Sequence, residues 1–128
     1  MKPVLSPRAP TTAGHYSHAI VHNGLVFVSG QLPLDPADPK KPPGTIEEQT
    51  EQALKNVAEI LKAAGSSLDR LLQVTVYVSD IALWPAVNAT YARILGTHRP
   101  ARAVIPVKEL NRGFQIEIQA IAAAEENL

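Results

Sequence analysis

Apolar residues recur along the chain at two different periods. LLQVTVYVSD, residues 71–80, alternates, with Leu72, Val74, Val76 and Val78 on one side and Gln73, Thr75 and Tyr77 on the other, the period of a half-buried strand. In TIEEQTEQALKNVAEILKAAG, residues 45–65, Leu54, Val57, Leu61 and Ala64 recur at helical spacing. Thr45 and Glu48 form a capping-box pair ahead of that stripe, and Gly65 supplies the stop behind it. ALWPAVNATYARIL, residues 82–95, predicts a second helix with Pro85 tolerated in its first turn. Its buried stripe is Trp84, Val87, Tyr91 and Leu95, with Trp84 read as core filler.

Turn chemistry orders the remaining segments. SHAIVHN and LVFVSGQ flank Asn23-Gly24, a dipeptide whose tolerance of positive φ favours a tight hairpin. ARAVIPV and FQIEIQAIAA, joined by KELNRG, predict a second antiparallel hairpin. The prolines of PLDPADPKKPPG, residues 33–44, forbid helix and interior strand and leave a surface loop. The first fourteen residues read as an extended arm. The expected order is ββαβαββ: one α+β domain over residues 1–128, with both helices on one face of a single sheet. Two helices cover only one face, yet Leu25, Val26, Phe27 and Val28 supply apolar groups to both. Apolar surface left uncovered in this way predicts a homo-oligomer.

Composition narrows the function classes. Twelve Lys and Arg balance twelve Asp and Glu, dispersed along the chain, so the electrostatic footprint of a nucleic-acid-binding domain is missing. Without cysteine there is no disulfide, thiol nucleophile or thiolate metal site. The first residues carry no apolar core of a secretory signal and no run is long enough to span a membrane, so a cytosolic location is expected. His18 and His22, four apart on a strand, lie roughly 13 Å from each other and cannot share a metal. His15 and His98 stand isolated in loops; no nucleophile elbow or phosphate-cradling loop is present, and neither metal nor cofactor is expected.

One position resists a purely structural account. Arg102 sits among apolar residues in HRPARAVIPV, and the predicted hairpin sets it opposite Glu117. Such a pair reads either as an ion pair on a solvated face or as a site, with the guanidinium fork gripping a carboxylate and the glutamate accepting a proton from water.

HYSHAIVHNGLVFVSGQLPLDP, EQTEQALKNVAEILKAAGSSLD, VTVYVSD, AVNATY, RPARAVIPV and QIEIQAIA, taken in this order from Tyr16 to Ala123, resemble the reactive-intermediate deaminase family (Rid, also called YjgF). The resemblance implies a chorismate-mutase-like fold with a single mixed sheet, assembled as a homotrimer with pockets at the subunit interfaces. It also implies cofactor-independent hydrolysis of 2-imino and enamine acids, such as 2-aminoacrylate and 2-iminopropanoate, to the 2-keto acid and ammonia. On the matching motifs, Arg102 would hold the substrate carboxylate, Glu117 would position or activate water, and Tyr16 would reach in from a neighbouring subunit. Ser29, Gly30, Asn88 and the backbone of Val104 match substrate-binding positions.

The departures from the family pattern bear on substrate identity. Val104 stands where many active members carry a cysteine, His15 replaces a proline and Gln119 replaces a glutamate. Arg99 occupies a place that is usually apolar or aromatic, and Pro106 points to an edge or strand end. Two other function classes remain open at this stage. One is a non-catalytic trimer that binds small carboxylic acids, and the other is an RNA-cleaving or translation-inhibiting protein, against which the neutral charge and few aromatics argue.

Overall fold

The computed structural model describes residues 1–125. Its elements are β1 (Lys2–Val4), β2 (Ala19–His22), β3 (Leu25–Gln31), α1 (Ile46–Ala63), β4 (Leu71–Val78), α2 (Trp84–Leu95), β5 (Ala101–Pro106) and β6 (Ile116–Ala123). The strands form one six-stranded sheet in the order β1-β2-β3-β6-β4-β5. All neighbours are antiparallel except β4 and β5. The α+β class and the single mixed sheet are as the sequence predicts. Among the described residues, no helix is long and apolar enough to cross a membrane.

The core lies between the sheet and the helices. Val74, Val76 and Val78 of β4, Ile116 and Ile118 of β6, and Val26 and Val28 of β3 all point the same way and are buried, as are Leu54, Val57, Ile60 and Leu61 of α1. Alternation therefore leaves Leu25 and Phe27 of β3, Gln73, Thr75 and Tyr77 of β4, and Glu117, Gln119 and Ile121 of β6 on the far face, where Phe27 is 41% exposed. Leu72 departs from the predicted stripe. The register of β4 against β6 slips between Leu71 and Gln73, which turns Leu71 into the core and leaves Leu72 exposed.

Helix α1 starts where its capping box predicts. The Glu48 N–H donates to the Thr45 hydroxyl and the Thr45 N–H to the Glu48 carboxylate, each at 3.1 Å. Those hydrogen bonds hold the Glu48 carboxyl below its ordinary value. Gly65, at φ 74°, turns the chain away after the last turn. A 3-10 turn over Ile81–Leu83 precedes α2, so the α-helix proper begins at Trp84, two residues later than expected.

Two expectations need correction. The arm is not free from its start: β1 pairs with β2 through Lys2–Val21 and Val4–Ala19, adding a strand to the predicted order. His18, far from any metal role, clamps the arm. Its Nδ1 accepts from the Ser6 N–H at 2.9 Å and its Nε2–H donates to the Pro10 carbonyl at 2.6 Å.

The second correction concerns the last two strands, which are not a hairpin. β5 runs parallel to β4, reached by the α2 crossover, and β6 is inserted between β3 and β4. KELNRG carries the chain past β4 through a 3-10 turn over Asn111–Gly113, with Arg112 and Gly113 both at positive φ. A parallel pair needs a crossover of this kind, and β4 then has its other edge free for β6. β5 is thus an edge strand, and Pro106 ends it, where a missing N–H is tolerated.

Removing the helix cap gives a simple check on this frame. Thr45→Ala should lower stability by about 1 kcal/mol. The measurement is a drop in the urea midpoint at unchanged slope.

Candidate functional site

The corrected topology moves Arg102 away from Glu117. Arg102 pairs with Val74, and Glu117 pairs with Tyr77 on the opposite edge of β4. Two strand spacings and three residues of rise separate their Cα atoms by roughly 14 Å. They also face opposite ways. Arg102 shares the face of Val74, towards the helices, whereas Glu117 shares that of Tyr77 on the open side. Within one chain neither the ion pair nor a joint site can form.

Each residue is instead the centre of its own cluster. On the helix side, the Arg102 guanidinium lies 4.6 Å from the Trp84 ring centroid and 4.7 Å from that of Tyr91. Its Nη1 donates to the Asn88 Oδ1 at 3.2 Å. Trp84, Asn88 and Tyr91 are spaced by four and three residues along α2, so they form one line of the helix facing β5. Trp84 is only partly buried and does more than fill the core, since its ring carries the cation. The signal in the sequence was this helical spacing upstream of a strand arginine. Val104, two residues on from Arg102 and on the same face, is half-buried beside them.

Tyr91 is the least satisfied member. Its hydroxyl is buried without a hydrogen-bond partner among the described residues. Burial raises the phenol above its ordinary value, with the Arg102 charge pulling the other way. The cluster opens into a cavity of about 400 Å³ lined also by Leu95, His98, Arg99 and Pro100. His98 is fixed there through Nε2–H to the Leu71 carbonyl at 2.8 Å.

The open-face cluster is built by a bulge. The β3–β6 register breaks between Val28 and Gln31, which takes Ser29 and Gly30 out of the regular ladder and sets Gly30 beside Glu117. Gly30 allows a close approach: a Cβ there would lie 3.1 Å from the Glu117 carboxyl carbon and Oε1, so that carboxyl would have to give way. Ser29 donates its N–H to the His18 carbonyl at 2.9 Å and its hydroxyl to the Ser17 carbonyl at 2.6 Å. Both donors of Ser29 thus tie β3 to the residues following Tyr16. Tyr16 itself is 48% exposed, on the arm. Burial raises the Glu117 carboxyl above its ordinary value.

The structure therefore groups the sequence-predicted residues into two sets. Arg102, Asn88 and Val104 belong to one and Glu117 and Gly30 to the other; Ser29 shares the bulge with Gly30, and Tyr16 stands apart on the exposed arm. Among the described residues, no three His, Asp or Glu side chains gather as a metal site would require. Glu117 should titrate above 4.5, the ordinary value for a glutamate, when followed by carboxyl carbon NMR. Gly30→Ala should shift that titration, because the added methyl displaces the carboxyl from its half-buried place.

Comparison with known proteins places this arrangement in a family. A family model described as endoribonuclease L-PSP matches residues 6–124. Protein HMF1 of Saccharomyces cerevisiae is 41% identical over 123 residues, covering 96% of this chain and 95% of its own. A 2-iminobutanoate/2-iminopropanoate deaminase of Capra hircus is 40% identical over 119 residues, covering 93% of this chain and 87% of its own. The crystal structure of Escherichia coli TdcF with bound serine superposes with a TM-score of 0.91 at 30% identity, over 98% of this chain and 100% of the other. With a family match over nearly its whole length and relatives at this level of identity, the chain belongs to the YjgF/Rid family, whose family model is described as endoribonuclease L-PSP.

Proposed function

We propose that the protein hydrolyses reactive 2-imino and enamine acids to 2-keto acids and ammonia, at sites shared between neighbouring copies of a homotrimer. The observation that carries this reading is the separation of Arg102 and Glu117 onto opposite faces of one sheet. A carboxylate-gripping cation and a half-buried base are both present, and a second copy whose β5 edge met the open face beside Glu117 would bring its Arg102 to that base. Partly exposed Phe27 and Leu25 on that face give such contact an apolar component. The deaminase name of relatives at 40% identity and the serine bound by TdcF support a ligand of amino-acid size.

The chemistry asks little of the protein. Arg102 anchors the substrate carboxylate through donors that Asn88 leaves free. Glu117, in its ionised form, takes a proton from water as the oxygen attacks C2 of the imine. The same carboxyl returns that proton to nitrogen to give the carbinolamine, then carries the adduct's hydroxyl proton to nitrogen, so that ammonia leaves with the C–N bond as the C=O of the keto acid forms. The raised pKa of Glu117 moves it towards working pH, which suits both transfers. Tyr16, on the exposed arm, reaches across the seam to complete the wall.

A formally neutral chain and a cavity of about 400 Å³ suit a small acid better than the RNA that the family description suggests. Binding without turnover is the competing outcome.

The test is competition with semicarbazide for 2-iminopropanoate generated by an amino-acid oxidase. Wild type should outcompete semicarbazide, and Glu117→Gln should lose about 10²- to 10⁴-fold in kcat. Arg102→Ala should lose activity chiefly through weaker substrate binding. Activity should fall as pH drops through the raised Glu117 pKa, because the base is then protonated. Co-refolded Arg102→Ala and Glu117→Gln chains should recover about a quarter of wild-type activity, since one in four random interfaces joins two intact halves. No turnover by wild type on any imine would leave a carboxylate-binding protein; no recovery in the mixture would sink the shared site.

A further inference from the structure

Resting on that reading, we infer that the Arg102 pocket is built for dicarboxylic 2-imino and 2-keto acids, with Arg99 holding the second carboxylate. Arg99 and Arg102 line the same cavity. Neither makes a salt bridge among the described residues, and no acidic side chain lines that cavity. Two cations face a common space in which the chain itself supplies no counter-charge, so even with one Glu117 of a neighbouring copy beside the substrate the wall stays net positive and favours a dianion over a monoanion.

The polar groups of the wall agree in kind. Tyr91 lines the cavity as well, its ring lying 4.7 Å from the Arg102 guanidinium, so the aromatic face steadies the cation. Asn88 is already engaged with Arg102 and orients it. His98 is held by the Leu71 carbonyl and leaves only its Nδ1 free. The backbone between Arg99 and Arg102 spans at most about 11 Å, and each side chain is long. A dicarboxylate with a short methylene spacer is of the length to bridge two arginines so placed on one cavity wall. Leu95 and Pro100 give that spacer apolar contact.

Binding of stable keto acids tests this without requiring turnover. Calorimetry of the assembled protein should give a Kd for 2-oxoglutarate about tenfold below that for 2-oxobutanoate at low salt. Arg99→Leu should bring the two values to within about twofold, and Arg99→Lys should retain part of the difference because the charge survives. Raising ionic strength should narrow the wild-type ratio.

Equal Kd values in wild type, or a ratio untouched by Arg99→Leu, would overturn the inference. The outcomes separate from those of the deaminase reading. A dicarboxylate preference in a protein that turns over no imine sinks the catalytic proposal alone. Imine hydrolysis with no such preference sinks this one alone.

Discussion

The alternation of side chains across a sheet governs this molecule more than any single contact. β6 lies between β3 and β4, and β4 holds β5 in parallel on its other edge. Once that register is set, every even-numbered residue of β4 enters the core and every odd one faces outward from Gln73 onwards. Arg102 inherits the inward direction from Val74, and Glu117 inherits the outward one from Tyr77. The two residues that look like partners in the sequence are thereby sent to opposite sides. No rotamer change reverses this, because it is fixed by the backbone pairing.

Local physics was readable along most of the chain. The Thr45–Glu48 cap, the Gly65 stop, the Asn23-Gly24 hairpin and the apolar stripe of α1 all depend on residues within a turn or two of each other. Strand partnership does not. The contact of Val28 with Ala120 closes a loop of most of the chain, and nothing near either residue specifies it. The KELNRG segment has turn residues, so a hairpin was the local solution; the better solution buried both edges of β6. Site residues were legible as chemical types while their grouping was not. Trp84 shows the reason: a tryptophan on an apolar helix stripe fits core and cation stack equally well until β5 is placed against α2.

The N-terminal arm joins these two levels. His18 receives from Ser6 and donates to Pro10, which fixes its tautomer and the path of the arm. The next turn of the chain is held by Ser29, whose position depends on the β3 bulge that also admits Gly30 beside Glu117. One irregularity in a strand therefore sets both the glutamate's surroundings and the root of the segment bearing Tyr16. A regular ladder at that point would satisfy the backbone equally well and would leave the glutamate on an ordinary solvated face.

The manner in which Arg102 is held has a consequence for recognition. A carboxylate in the place of Trp84 would fix the guanidinium as firmly, but every incoming acid would then compete with it. Two aromatic faces restrain the cation without occupying its fork, and Asn88 takes up one edge. A long, flexible side chain loses about 2 kcal/mol of rotamer entropy when it is immobilised. Here that loss falls on folding, so a ligand meets an arginine already ordered and owes only its own desolvation and freedom. Affinity at such a wall rests on preorganisation, and a replacement that keeps the charge but loses the aromatic faces weakens capture while leaving the electrostatic field unchanged.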